Sequence, residues 1–264
     1  MKRSIAGSEV YVHTGGRPFD PDQRAMVLLH GAGFDHTVWR HQSRYLAHRG
    51  WSVAAIDFPG HGRSGGEPLD SVEELAAWTL ALLGELGSSD VVLVGHSMGS
   101  LVGLEIGDRG PVRGRVLLSG TSELRVHPDL LSLSDDGDDA VLALLRAWEH
   151  ASHPGGSPTP GTWIKGEGWR LREGIGLDVL HADLVACHTY DGGPSAASSL
   201  VSPVLLLGGA GDRMIPVRAS AALAEMLADV EVVTVEGAGH ALFVERPRRV
   251  AREIERFGSL VLPA

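Results

Sequence analysis

The sequence is poor in cysteine and contains no long apolar run. Cys187 is the one cysteine among 264 residues, which excludes an intramolecular disulfide and a metal site built from several cysteines. No stretch approaches the roughly 20 apolar residues that a membrane-spanning helix needs. The opening residues, MKRSIAGSEVYV, also lack the apolar segment of a secretory signal. We therefore expect a cytoplasmic protein that has no membrane partner.

Positive charge is scarce as well. The chain has 23 Lys and Arg against 33 Asp and Glu, which gives a formal net charge of -10 at pH 7. An acidic surface repels phosphate groups, so neither nucleic acid nor an anionic membrane is expected as a partner. The 43% hydrophobic and 21% charged fractions are typical of a globular domain. The length allows one large α/β domain with an insertion.

Apolar runs that suit buried strands alternate with segments of helical periodicity over most of the chain. The strand-like runs end at glycine, as in AMVLLHGAG (25–33) and SPVLLLGG (202–209), which suits strands buried on both faces. Helical segments follow, as at 71–87, where Ser71 and Glu74 have the spacing of a capping box. The alternation predicts an α/β fold with a mostly parallel, doubly wound sheet of about eight strands.

Residues 122–196 interrupt this alternation with an acidic loop, a Pro- and Gly-rich stretch and three of the six tryptophans. We interpret them as a helical cap, or lid, inserted over one end of the sheet. The predicted domains are thus a core of 1–121 and 197–264 and a cap of 122–196. Within the cap, Trp163 and Trp169 are candidates to line a substrate pocket, and the alternative is that they form the cap's own small core.

The segment VVLVGHSMGS (91–100) places a serine between two glycines where a predicted strand passes into a helix. Glycine weakens a strand, so two of them around one residue indicate a backbone constraint. In a G-x-S-x-G turn the serine stands on strained backbone above the carboxyl edge of the sheet. Ser97 is therefore the candidate nucleophile, the alternative being a tight turn with a solvent-facing serine. The Met98 N–H, at the helix N-terminus, is a candidate oxyanion donor.

A serine hydroxyl needs a base to act as a nucleophile, and the base needs an orienting carboxylate. His240 follows the last predicted strand, and Asp212 follows the strand before it. Both should project at the same sheet edge as Ser97, and the order Ser, Asp, His along the chain fits this type of turn. Glu123, which follows the strand after the nucleophile helix, is a rival for the acid.

The loop HGAG (30–33), after the first buried strand, is expected to supply a second oxyanion donor. Gly31 permits the turn, and the N–H of Ala32 is the best candidate donor. Gly33 is a weaker candidate. We also expect Gly31 and Gly33 to contribute to substrate binding.

No metal and no cofactor are expected. His30, His61 and His96 do not have the spacing of a zinc motif, and no adjacent carboxylate ligands are evident. We interpret His30 as a structural brace for its loop. Cys187 and His188 are neighbours in the predicted cap, and we favour buried packing for the cysteine over a catalytic dyad.

Five motifs together resemble the α/β-hydrolase superfamily, in its small, lidded branch of esterase-like enzymes. They are HGAG (30–33), DFPGHGRS (57–64), GHSMG (95–99), GAGDRMIP (209–216) and GAGHALFVERP (237–247). The resemblance covers nearly the whole chain outside the predicted cap, and it implies a serine triad. A serine at the tip of the turn departs from the haloalkane dehalogenase and epoxide hydrolase pattern, which argues against those two activities.

The resemblance implies that a small-molecule ester or lactone, of small to medium size, is cleaved through an acyl-enzyme. Two alternatives stay open, because this fold hosts several functions. One is a carbon–carbon bond hydrolase of ring-cleavage products, in which Arg170 or Arg172 would bind a substrate carboxylate. The other is a non-catalytic module that binds a small molecule. The oligomeric state is left open by the sequence.

Overall fold

The computed structural model describes residues 1–5, 7–151 and 164–263. Its strands are β1 Lys2–Ile5, β2 Ser8–His13, β3 Ala25–Leu29, β4 Ser52–Ile56, β5 Val91–His96, β6 Val112–Leu118, β7 Val204–Gly209 and β8 Val230–Val235. They form one sheet in the order β1-β2-β4-β3-β5-β6-β7-β8. The pairs β1–β2 and β2–β4 are antiparallel, and the remaining pairs are parallel. The predicted α/β fold, with a mostly parallel sheet of about eight strands, is confirmed.

Helices connect the strands. They are α1 Arg40–Ala47, α2 Val72–Leu86, α3 Met98–Ile106, α4 Pro128–Asp135, α5 Ala140–Glu149, α6 Ile164–Ile175, α7 Leu177–Thr189, α8 Gly193–Ser199, α9 Val217–Ala224, α10 Leu242–Glu245 and α11 Pro247–Val261. At the start of α2 the Ser71 hydroxyl accepts the N–H of Glu74 at 3.1 Å, as the capping spacing predicts. Among the described helices, none combines the length and the apolar character that a bilayer crossing requires.

The central strands are apolar throughout because helices cover both of their faces. All five residues of β3 are buried, and successive side chains of a strand point to opposite faces. Met26 and Leu28 belong to the apolar cluster that includes residues of α1 and α11. Val27 and Leu29 belong to the cluster that includes residues of α2 and α3. A strand enclosed in this way needs a continuous apolar run rather than alternation.

The helices α4 to α8 lie between β6 and β7 in the chain, over the range of the predicted cap. Leu145 of α5 and Leu180 of α7 share the apolar cluster of α2 and α3, so these helices pack directly on the core. At the end of the range, Ala197 of α8 packs with Leu104 of α3. The predicted boundary between 196 and 197 falls inside α8, and the division into core and cap stays a prediction.

Gly99, at the start of α3, faces backbone atoms of the neighbouring strand. A Cβ there would lie 2.5 Å from the carbonyl oxygen of Leu29 and 2.7 Å from that of His30. Because backbone cannot rotate away as a side chain can, we expect Gly99→Ala to lower the free energy of unfolding by about 2–3 kcal/mol in urea denaturation. The control is Gly84→Ala in α2, where nothing lies within 4 Å. It should raise that free energy by about 0.5–1 kcal/mol, and equal effects would contradict the prediction.

Candidate active site

Ser97 stands at the turn where β5 passes into α3. Its φ of 53° and ψ of -113° lie outside the regions that residues with a side chain ordinarily adopt. A Cβ at Gly95 would overlap the carbonyl oxygen of Gly99, so the strand and the helix approach each other more closely than other residues would permit. Ser97 is 8% exposed and lines a cavity at this edge of the sheet.

Asp212 and His240 meet at the same edge of the sheet. Nδ1 of His240 lies 3.0 Å from Oδ2 of Asp212. The N–H groups of Met214 and Ile215 donate to Oδ1 of the same carboxylate at 2.9 and 2.8 Å, and the Ser119 hydroxyl donates to Oδ2 at 2.8 Å. Both carboxylate oxygens are therefore held in place by hydrogen bonds. Because Nδ1 is bonded to the carboxylate, Nε2 is the imidazole nitrogen left to accept a proton.

His96, the residue before Ser97, supports the backbone of His240. Its Nε2 lies 3.0 Å from the carbonyl oxygen of His240, and the two rings have centroids 4.7 Å apart. Complete burial, and then the nearby charge of His240, lowers the pKa of His96 to about 3. The ring is therefore neutral, and the proton on Nε2 is donated to that carbonyl. No sequence pattern predicts that His96 bonds the carbonyl of His240 or that Ser119 donates to Asp212.

The pKa of His240 is set by charges from two directions. Burial lowers it, but the charge and hydrogen bond of Asp212 and the charge of Glu149 outweigh burial, so the pKa lies above its ordinary value. Glu149 is itself buried and pairs with Arg172, whose Nη2 and Nη1 lie 3.0 and 3.3 Å from its two oxygens. Burial would raise the pKa of Glu149, yet Arg172 holds it below its ordinary value. The carboxylate is therefore charged.

The two predicted oxyanion donors have N–H groups available for a ligand. In the part of the chain that the structure describes, no acceptor is hydrogen-bonded to the N–H of Ala32 or of Met98. The N–H of Gly33, the weaker candidate, donates to Oδ2 of Asp183 at 2.7 Å. A donor already bound to a carboxylate cannot also bind an oxyanion, so the geometry favours Ala32 over Gly33.

Asp183 of α7 connects three segments around the Gly33 loop. Besides the Gly33 N–H, its Oδ2 lies 2.9 Å from Nε2 of His61, and Nδ1 of His61 lies 2.9 Å from the carbonyl oxygen of Pro59. Both ring nitrogens face acceptors, which requires the doubly protonated ring. Burial lowers the pKa of His61, but Asp183 raises it above its ordinary value. Burial and the adjacent His61 lower the pKa of His30 to about 4, so that ring is neutral.

The cavity has a volume of about 730 Å³. Ser97, Ala32 and His240 line it. Much of the remaining described lining is apolar and comes from the loop after β6 and from α4, α5 and α7: Leu124, Val126, Leu130, Leu145, Leu180 and Leu184. A volume of this size accommodates a small to medium organic molecule.

The predicted pocket tryptophans do not account for this lining. Trp163 lies outside the described residues. Trp169 is partly buried against the apolar core, with its ring 5.7 Å from the guanidinium of Arg146, and it is not among the described residues of the cavity wall, where Trp148 stands. The cavity therefore gives no support for a contact between Trp169 and substrate, and that role stays a prediction.

The two glycines expected to contribute to substrate binding shape their loop. A Cβ at Gly31 would lie 3.3 Å from the Cβ of Ser97. At Gly33, where φ is +65°, it would lie 2.8 Å from Cδ1 of Leu180. Neither glycine is among the described lining residues. The loop needs them so that the turn at Ser97 and helix α7 can lie against it.

Two rival assignments from the sequence fit the structure less well. Glu123 is exposed and pairs with Arg125 at 3.4 Å, whereas Asp212 bonds the imidazole of His240. Cys187 is buried and lines the cavity. Burial raises the pKa of its thiol well above the ordinary value, which keeps it protonated and a poor nucleophile.

Asp35, His36 and Asp57 are the described residues whose ligand atoms lie close enough together, within 4.8 Å, to hold a metal ion. The buried Asp57 carboxylate already accepts the His36 N–H at 2.6 Å and the Arg63 N–H at 2.9 Å. Nδ1 of His36 also lies 2.8 Å from it. These contacts satisfy the hydrogen-bonding capacity of the carboxylate, which thereby connects the loops that contain His36 and Arg63.

Comparison with known proteins relates this chain to hydrolases. The model of the alpha/beta hydrolase family matches residues 26–253. The pimeloyl-[acyl-carrier protein] methyl ester esterase of Aromatoleum aromaticum is 30% identical over 251 residues, which cover 87% of this chain and 96% of that protein. The putative carbamate hydrolase RutD of Pseudomonas savastanoi pv. phaseolicola is 29% identical over 254 residues, which cover 89% of this chain and 94% of that protein.

Solved structures share the fold over nearly the full length. A thermophilic esterase superposes with a TM-score of 0.82 at 24% identity, covering 99% of this chain and 98% of its own. The enol-lactonase from Burkholderia xenovorans LB400 gives a TM-score of 0.83 at 18% identity, covering 97% of this chain and 99% of its own. At these identities the likeness concerns the fold.

Glu149→Gln should lower the pKa of the His240 imidazole. The substitution removes a negative charge that stabilises the imidazolium and leaves the positive charge of Arg172 unopposed. Histidine ¹H–¹⁵N NMR titration measures the pKa directly, with the His240 signal assigned through a His240→Asn variant. The exposed Glu123→Gln variant is the control and should leave the pKa where it was. A folded Glu149→Gln protein with an unchanged or higher pKa would contradict the assignment.

Asp183→Asn should destabilise the protein most at low pH. The pKa of His61 is raised above its ordinary value of 6.5, so the ion pair contributes fully below pH 6.5 and is lost as the pH rises through the raised pKa. We expect a loss of about 3 kcal/mol in the free energy of unfolding near pH 6 that shrinks at higher pH.

Urea denaturation at a series of pH values measures this difference. Asp178→Asn, an exposed position on the same helix, is the matched control and should have little effect at any pH. A loss that is constant with pH would show that His61 does not carry the charge.

Proposed function

This chain belongs to the alpha/beta hydrolase family, and from that premise we propose that it hydrolyses small to medium carboxylic esters or lactones through an acyl-enzyme on Ser97. The observation that carries the proposal is the 3.0 Å contact between His240 and Asp212, with His240 and the strained Ser97 lining one cavity. A serine that shares a site with a carboxylate-oriented imidazole is the arrangement that activates its hydroxyl.

In this mechanism Ser97 Oγ attacks the carbonyl carbon while Nε2 of His240 takes the hydroxyl proton. The negative charge that develops on the carbonyl oxygen is stabilised by the N–H groups of Ala32 and Met98, and losing one such donor typically costs about 3 kcal/mol. His240 then protonates the leaving alcohol. It next takes a proton from water, which attacks the acyl-enzyme, and it returns that proton to Ser97 Oγ as the acid is released. Asp212 holds the imidazole and stabilises its charged form.

The ester class is supported by the relatives and by the cavity. The names of the relatives and structural neighbours concern a methyl ester, a carbamate, esters and an enol-lactone, whose reactive centre is in each case a carbonyl bonded to oxygen or nitrogen. The apolar wall of the cavity suits an acyl chain of small to medium length.

The carbon–carbon hydrolase receives less support from the two arginines that it would use. Arg170 is exposed and is not among the described lining residues. Arg172 does line the cavity, but both of its terminal nitrogens bond Glu149. The positive charge of Arg172, which would bind a substrate carboxylate, is thus already neutralised by Glu149.

The test is labelling with a fluorophosphonate, read by mass spectrometry, beside turnover of a p-nitrophenyl ester chain-length series. We expect one adduct on Ser97 and ester turnover that Ser97→Ala reduces by about 10⁴-fold or more. The exposed Ser198→Ala variant should keep both labelling and turnover. A protein that resists labelling at Ser97 yet binds small molecules would favour a non-catalytic module. Labelling of Ser97 without ester turnover would indicate that the substrate belongs to another class of acyl compound.

A further inference from the structure

The cavity beside Ser97 is cationic, although the protein is acidic overall. The described residues that line it include Arg125, Arg172 and Arg213 and no aspartate or glutamate, while the whole chain carries 33 acidic against 23 Lys and Arg residues. Among the described lining residues, positive charge thus exceeds negative charge.

The positive charge of Arg213 is not neutralised by an ion pair with any described residue. It follows Asp212 directly in the chain and is exposed, and its Nη1 donates to the carbonyl oxygen of Ala147 in α5 at 3.2 Å. A carbonyl oxygen orients the guanidinium without neutralising it. Among the described residues no carboxylate forms an ion pair with Arg213. Its charge is thus available to a ligand.

Arg125 is held in the same way by another segment. Its Nη1 donates to the carbonyl oxygen of His188 in α7 at 3.1 Å. Arg125 also forms an ion pair with Glu123 at 3.4 Å, and the two side chains are 57% and 47% exposed, respectively. Because solvent screens such a surface pair, Glu123 neutralises little of the charge of Arg125. Arg125 follows β6 and Arg213 follows β7, so two loops present guanidinium groups to one cavity, each anchored by a carbonyl.

Arg172 differs from both. Its guanidinium is buried and bonds the two oxygens of Glu149, so the pair carries no net charge. Uncompensated positive charge therefore lies with Arg125 and Arg213, which are exposed, whereas Ser97 is 8% exposed. An anion bound by these arginines would lie nearer to solvent than the hydroxyl of Ser97 does.

We propose that this cavity selects esters that carry an anionic group separated from the scissile bond by an apolar chain, with Arg213 and Arg125 as the specificity-determining residues. The inference rests on the proposed ester hydrolysis. Apolar side chains such as Leu145, Met214 and Ile215 line the same cavity and would bury the chain. The anion sits on either the acyl or the alcohol part of the ester.

Matched substrate pairs measure the preference for charge. The acyl-side pair is the p-nitrophenyl monoester of adipic acid and the same ester with a primary amide in place of the carboxylate. The alcohol-side pair is the hexanoate of 4-hydroxybenzoate and that of 4-hydroxybenzamide. We expect kcat/KM for the anion to exceed that for the amide about 10-fold in one pair, since each exposed ion pair contributes up to about fivefold. The preferred pair identifies which part carries the anion.

Variants assign the preference to the arginines. Arg213→Gln and Arg125→Gln should each reduce the ratio of kcat/KM for the anion to that for the amide about threefold to fivefold. Arg218→Gln, exposed on α9 and outside the described lining, is the control and should retain it. Salt at about 1 M, where the screening length is about 3 Å, should weaken the preference in the unaltered enzyme.

Equal turnover of anion and amide in both pairs, or a preference that survives in the Arg125→Gln/Arg213→Gln double variant, would overturn the proposal. If no ester is cleaved, the ester hydrolysis fails instead. Calorimetric titration of the Ser97→Ala protein with adipate monoamide and with adipamide then decides the charge preference alone. Tighter binding of the anion, lost in the double variant, supports it, and equal binding refutes it.

Discussion

The turn at Ser97 exists because β5 and α3 approach each other at Gly95, where a Cβ would overlap the carbonyl oxygen of Gly99. Ser97 has a φ of 53° at this turn, a conformation that costs about 1–3 kcal/mol for a residue with a Cβ. The strand β5 before it is buried along its whole length. The same turn places the N–H of Met98 at a helix N-terminus, and no described residue accepts a hydrogen bond from it. One packing constraint thus yields both the position of the candidate nucleophile and one candidate oxyanion donor.

The helices of the predicted cap contribute charges to the candidate site as well as apolar walls. Asp183 accepts the N–H of Gly33, which favours Ala32 as the proposed oxyanion donor of that loop. Glu149, at the end of α5, raises the pKa of His240 although no hydrogen bond joins it to that ring or to Asp212. Because both acids lie on helices of the predicted cap, displacement of those helices would change the loop at Gly33 and the basicity of the imidazole together.

Local patterns were sufficient to predict most of the sheet and the three residues proposed for catalysis, because each of the three follows an apolar run that ends at a sheet edge. Contacts between distant segments leave no such pattern. Gly33 and Asp183 are separated by 150 positions, and no motif links them. The strand β1 was not predicted, because KRSI is short and mostly charged or polar and is held by pairing with β2. Among the described lining residues the tryptophan is Trp148, which the sequence did not indicate, since helical periodicity does not show which face of a helix meets the cavity.

The described arginines of the cavity belong to a protein whose net charge is -10. At physiological salt the screening length is about 8 Å, so the acidic residues on distant faces neither attract nor repel strongly a ligand inside the cavity. At longer range the net charge opposes the approach of an anion and cannot steer it. In the proposed selection, Arg213 and Arg125 would therefore act after encounter, when the anion is within contact distance of guanidinium groups already oriented by the carbonyls of Ala147 and His188. Selection of this kind would prolong the bound state of an anionic ester and would not accelerate its capture.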